Sequence, residues 1–119
     1  FLGEKSRNEI YANLHKYDLL VQPSFFEGFG LTIIEAMAAH VPVLVSNLAG
    51  PMEVIDEGEC GDYFEAGSLA DLTAKIENII NTPHTDNIKI KKASERVSTY
   101  FNISHSAQCY LNSYNDLIR

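Results

Sequence analysis

Pro23-Ser24-Phe25-Phe26-Glu27-Gly28-Phe29-Gly30-Leu31-Thr32-Ile33-Ile34-Glu35 decides how this chain is read. Before it runs Asp18-Leu19-Leu20-Val21-Gln22, short and apolar, and stopped by a proline as a buried parallel strand would be. The two glycines punctuate a turn. Leu31 to His40 then reads as a helix: Leu31, Ile34 and Ala38 share a face, and Ala36-Met37-Ala38-Ala39 has high helix propensity. Val41-Pro42-Val43-Leu44-Val45-Ser46 gives the next strand, with Pro42 near its start, where a missing N–H matters least.

Outward from this centre the alternation continues. Ser6 with Glu9 has the form of a capping box, and Ile10, Leu14 and Tyr17 follow at helical spacing, which predicts a helix over 7–16. Asn47 to Gly50 reads as a loop, and Pro51 as the first position of a short helix through Asp56. Gly58 and Gly61 mark a turn before a brief edge strand, Asp62 to Glu65. Ser68 caps a helix to about Asn81, with Leu69, Leu72, Ile76 and Ile79/Ile80 as its apolar stripe, and Pro83 ends it. Two further helices are expected over 86–99 and 104–118, the second capped by Ser104. Strand-helix alternation at this spacing implies an α/β, Rossmann-like parallel sheet with helices on both faces. Only two strands read as central, so further strands are expected upstream to cover the edges.

Composition narrows the functions. The 119 residues make one domain or part of one, and the absence of an initiator Met leads us to expect a segment of a longer protein. A net charge of −7 argues against a broad nucleic-acid surface, which needs clustered Lys and Arg. It leaves room for a single phosphate held by backbone N–H groups. The dense basic run, Lys89, Lys91, Lys92 and Arg96, reads as the solvated face of a helix. No stretch approaches the roughly eighteen apolar residues of a membrane span. Cys60 and Cys109 lie far apart and fit reduced thiols of a cytoplasmic protein. His15, His40, His84 and His105 show no metal-ligand spacing, so no metal is expected.

The chemistry centres on Glu27 to Glu35. Ligands of open α/β sheets bind at the carboxyl ends of the strands, where this turn sits. Gly28 and Gly30 let backbone approach a ligand closely. The first amides of the following helix have no intrahelical acceptor and, with the helix dipole, favour an anion such as a diphosphate. Glu27 lies in the turn, on the ligand side. Glu35 lies about one turn into the helix, where side chains lean toward the N-terminus, so its carboxylate can face the same ligand. Donors for phosphate beside acceptors for sugar hydroxyls meet the needs of a nucleotide sugar. Spacing alone also allows a surface Glu35 and a Glu27 that merely complements the dipole.

The whole string PSFFEGFGLTIIEAMAAHVPVLVS, residues 23–46, resembles the signature of glycosyltransferase family 4, retaining enzymes of the GT-B fold. Gly50-Pro51-Met52-Glu53-Val54-Ile55 resembles the family's next turn, and GECGDYFEAGSLADLTAKIENII its Gly-rich strand and capped helix. The tail FNISHSAQCYLNSYNDLIR is similar to its closing helix, with Tyr110 and Tyr114 as the paired tyrosines.

That resemblance implies that residues 1–119 are the C-terminal part of a GT-B nucleotide-sugar-binding domain, with the N-terminal acceptor domain elsewhere. It implies a hexose transferred from a UDP- or GDP-hexose to a glycan or lipid-linked acceptor, in cell-surface polysaccharide biosynthesis. Glu27 would be the catalytic group near the transferred sugar, and Glu35 would hold the ribose. Gly28, Phe29, Gly30, Leu31 and Thr32 would line the diphosphate and sugar. The family uses no metal or other cofactor. By analogy the intact protein would be cytoplasmic, with peripheral attachment at the inner membrane face. Two departures stand out: His40 replaces the family's usual glycine, and Lys5 and Arg7 do not match the basic pair that neutralises the leaving diphosphate. The segment alone is therefore expected not to turn over. An epimerase or phosphorylase of similar two-lobed fold, or a non-catalytic sugar-nucleotide or protein-interaction module, are the competing readings.

Overall fold

Parallel strands need long crossovers, and in this chain helices supply them. The computed structural model describes Gly3 and residues 5–24, 31–84 and 87–100. The elements run α1 (Arg7–Asn13), β1 (Leu20–Gln22), α2 (Leu31–Ala38), β2 (Val43–Ser46), α3 (Ala49–Val54), β3 (Asp62–Phe64), α4 (Leu69–Ile80) and α5 (Ile88–Tyr100). The strands form one sheet in the order β1-β2-β3, every pair parallel. Leu20 pairs with Val43, and Leu44 with Asp62.

Strand β2 is central and buried along its whole length. Its alternation splits the core in two. Val43 and Val45 join Ile33, Ala36 and Met37 of α2, Val54 of α3 and Ala93 of α5. Leu44 faces the other way, with Phe64 of β3 and Ile79 of α4. The sheet is therefore covered on both faces, as the strand-helix alternation requires. Gly61, just before β3, sits where a Cβ would come within 2.5 Å of Val43 Cγ2 and 3.0 Å of Ile55 Cγ2. Only glycine lets the two layers close there.

Several expectations are corrected. The brief edge strand expected over Asp62 to Glu65 is present and pairs with β2, but it ends at Phe64. The first helix gives way to a 3₁₀ turn at Leu14–Lys16. Pro51 is the third residue of α3, and that helix stops at Val54 because Asp56 and Glu57 both take φ 53°, which an α-helix cannot continue. Leu69 has the spacing of the apolar stripe but is 77% exposed, while Leu72, Ile76 and Ile79 pack. Periodicity sets which way a side chain points, not whether anything lies there. The expected 104–118 helix falls outside the described residues.

The basic run is partly exposed, as a solvated face would be, but three of its four cations also have partners from elsewhere in the chain. Lys89 donates to Asp62 Oδ1 at 2.7 Å, Lys92 to Glu59 Oε2 at 2.8 Å, and Arg96 to the carbonyls of Val54 and Glu53 at 3.0 and 2.9 Å. These side chains fasten α5 across the 53–62 segment. Two lysines also occupy carbonyls beside β3: Lys75 Nζ donates to Tyr63 at 3.0 Å and Lys89 Nζ to Gly61 at 3.3 Å. Charged side chains on an edge strand discourage a further strand from pairing there.

Candidate functional site at the carboxyl ends of the strands

Because all three strands are parallel, the turns after β1, β2 and β3 open on one edge of the sheet. The chemistry of that edge depends on which helix amides are already taken. At α4 the Ser68 hydroxyl accepts from Asp71 N at 3.1 Å, and the Asp71 carboxylate accepts from Glu65 N at 2.7 Å. Ala66 N donates to Asn47 Oδ1 at 3.0 Å. That corner is satisfied by its own side chains and carries negative charge. Helix α3 has only six residues. Helix α1 is closed by a complete capping box between Ser6 and Glu9. Helix α2 differs in sequence: Gly30 precedes Leu31 and offers no side-chain acceptor.

The sequence-predicted residues fall as follows. Glu27, Gly28, Phe29 and Gly30 lie outside the described residues. Leu31 opens α2, and Thr32 is exposed in its first turn. Glu35 lies in the second turn. Two residues on from Ile33, it stands about 200° round the helix from that core side chain. Its neighbours on the outer face, Thr32 and Ala38, are exposed, yet Glu35 is half-buried. The structure thus gathers Leu31, Thr32 and Glu35 on the first two turns of one helix.

At its far end α2 closes through His40, which takes φ 61°. His40 N donates to Met37 O at 3.2 Å and Val41 N to Ala36 O at 3.0 Å, the paired bonds of a Schellman turn. The position calls for a left-handed residue, which is why glycine is common there. His40 Nε2 lies 3.4 Å from Ser94 Oγ on α5. The imidazole is about a helix length from the first turn of α2 and is no part of the candidate site.

Sequence reasoning missed two residues of this edge, Ser46 and Asn47. Ser46 is fully buried and donates to Gln22 O at 3.2 Å. Asn47 N donates to Phe64 O at 3.0 Å. A groove lined by Tyr17, Asp18, Leu19, Ile79, Ile80 and Thr82 opens beside the residues that precede β1, at the opposite end of the sheet. Among the described residues no three His, Cys, Asp or Glu side chains cluster as metal ligands, and no helix is long and apolar enough to cross a membrane. The Cys60 thiol is buried, and burial pushes its pKa up.

Comparison with known proteins gives the family and the fold. Residues 1–96 match the family described as Glycosyl transferases group 1. Glycogen synthase of Mycobacterium tuberculosis is 31% identical over 115 residues, 93% of this chain and 28% of that protein. The structure of sucrose-phosphate synthase from Thermosynechococcus elongatus superposes with a TM-score of 0.89 at 28% identity, over 99% of this chain and 30% of that one. HepE of Anabaena, solved in complex with UDP, shares the fold at TM-score 0.76 and 24% identity, over 87% of this chain and 29% of its own. The chain spans under a third of the length of these relatives.

Proposed function

This chain belongs to the glycosyl transferases group 1 family and has its GT-B, Rossmann-like fold, and on that footing we propose that residues 1–119 are the C-terminal part of a nucleotide-sugar-binding domain in a longer retaining hexosyltransferase. The donor is a nucleoside diphosphate hexose, with UDP or GDP as the nucleotide. The acceptor is a glycan or a lipid-linked sugar, bound on a separate N-terminal domain. The product is a cell-surface polysaccharide made on the cytoplasmic side, with the intact protein attached peripherally to the membrane. Neither a metal nor another cofactor takes part in this reading.

One observation carries the proposal. At the carboxyl edge of a parallel sheet, α2 begins after a glycine and bears Glu35 one turn in, whereas the neighbouring α4 corner is capped by Ser68 and Asp71. The amides of Phe29, Gly30, Leu31 and Thr32 then meet the diphosphate, with Gly28 giving the turn the freedom to approach it. Glu35 accepts from the ribose hydroxyls. Glu27 accepts from hydroxyls of the transferred hexose and orients it, without forming a covalent bond to it. As the glycosidic C–O bond lengthens, negative charge gathers on the diphosphate. Donors fixed in advance lower that barrier, and the acceptor hydroxyl attacks from the same face.

Two substitutions in the intact protein test the assignment. Glu27→Ala lowers kcat by about tenfold or more, the scale of a lost transition-state contact; turnover near the wild-type rate counts against its role. Glu35→Ala raises the donor KM and leaves kcat nearly intact. Unchanged donor affinity, read by calorimetry, sinks the ribose assignment.

A further inference from the structure

Ser46 is, among the described residues, the polar side chain that the core buries completely. An apolar residue there would leave no hydroxyl to satisfy. The use of the hydroxyl therefore lies in what it holds. It donates at 3.2 Å to the carbonyl of Gln22, the last residue of β1 and the point where the chain leaves the sheet toward the Glu27 turn. Asn47, next in sequence, reaches the other way. Its backbone N–H donates to Phe64 O at 3.0 Å, and its Oδ1 accepts from Ala66 N at 3.0 Å. Two adjacent residues at the end of the central strand thus tie the exit of β1 on one side to the β3–α4 turn on the other.

We propose that Ser46 and Asn47 are positioning residues for the nucleotide-sugar donor. They hold the exit of β1 and the β3–α4 turn in fixed relation at this edge of the sheet, so that the first amides of α2 stand where a diphosphate needs them before it arrives. The inference rests on the donor-site reading above. Its physical content is preorganisation: a clamp that holds the cradle removes an ordering cost that binding would otherwise carry. Neither side chain is assigned a contact with the donor, so their effect passes through the turns they hold.

The test uses the intact protein, with donor KM and kcat measured beside calorimetric binding of UDP and GDP. Ser46→Ala and Asn47→Ala raise donor KM by about five- to tenfold while kcat stays within about twofold. Ser46→Thr keeps the hydroxyl and Asn47→Asp keeps the acceptor for Ala66 N; both return KM to within about twofold of wild type. Thermal melts check that each variant is folded. If Ser46→Ala does not fold, the exposed Asn47 pair carries the same comparison. Alanine variants with wild-type KM overturn the clamp and leave the donor site standing. So do Thr and Asp variants no better than alanine, since the loss would then follow packing and not the bonds. A wild-type protein that binds neither nucleotide nor nucleotide sugar overturns the donor-site reading, and the clamp with it.

Discussion

His40 shows what a single residue can hide. The resemblance marks it as a departure from glycine, but only the φ of 61° gives the reason glycine is usual. A side chain in the left-handed region crowds its own backbone. His40→Gly is therefore expected to raise stability by about 0.5–1 kcal/mol, the left-handed strain relieved less the entropy of a freer unfolded chain. Urea unfolding would read this as a higher midpoint; a lower one would mean that the 3.4 Å approach to Ser94 outweighs the strain. Gly61 was legible as a turn residue, but not as the place where Val43 and Ile55 exclude any Cβ. The position of Glu35 on α2 was legible from the pattern of the helix. Ser46 was not, because a bond to a residue 24 positions earlier leaves no local mark in sequence. Signals carried by neighbours in sequence survive a one-dimensional reading; those carried by neighbours in space do not.

At the scale of elements, α2, β2 and α4 follow directly from apolar spacing and caps, and Ser68 caps as its position suggests. Of the short pieces, β3 was read in place and the bounds of α3 were not. Helix α3 begins two residues before its proline, and β3 has only three residues, with half-buried, exposed and buried side chains in turn. Helix α5 was read at nearly the right place but without the partners of its cations, because a basic run says nothing about acids met from elsewhere in the chain. The Lys92 ammonium, bonded to Glu59, holds that carboxyl below its ordinary range and is itself raised in return. A lowered carboxylate pKa stabilises the fold above its unfolded value, and that contribution fades as pH falls through the folded one. The raised lysine works at the other end: its share is whole below the unfolded pKa and is lost as pH rises through the folded value. Both groups are exposed, so the effect is small and screened by salt. The melting temperature of Lys92→Met should therefore trail wild type slightly at neutral pH and converge with it in acid. Equal melting temperatures at neutral pH and low salt would show that the pair contributes nothing.

Over the whole molecule the sheet has two unlike borders. On the β3 side Lys75 and Lys89 occupy the carbonyls of Tyr63 and Gly61. Strand β1, among the described residues, pairs on one side only, and its three residues are half-buried. Ile10 and Tyr17 are exposed at 39% and 46% just ahead of it. A half-covered strand border with apolar neighbours is a template for pairing. The 119-residue polypeptide is accordingly expected to self-associate as concentration rises, seen as an earlier elution on size exclusion. A strict monomer at every concentration would show that this border is closed in solution. The two lysines carry a different consequence. Their guard is electrical and chemical, resting on two amines that any acylating reagent can neutralise. Acylation would strip the ammonium groups from Tyr63 and Gly61 and bare two carbonyl oxygens to passing chains. A flank that now repels newcomers would lose its guard.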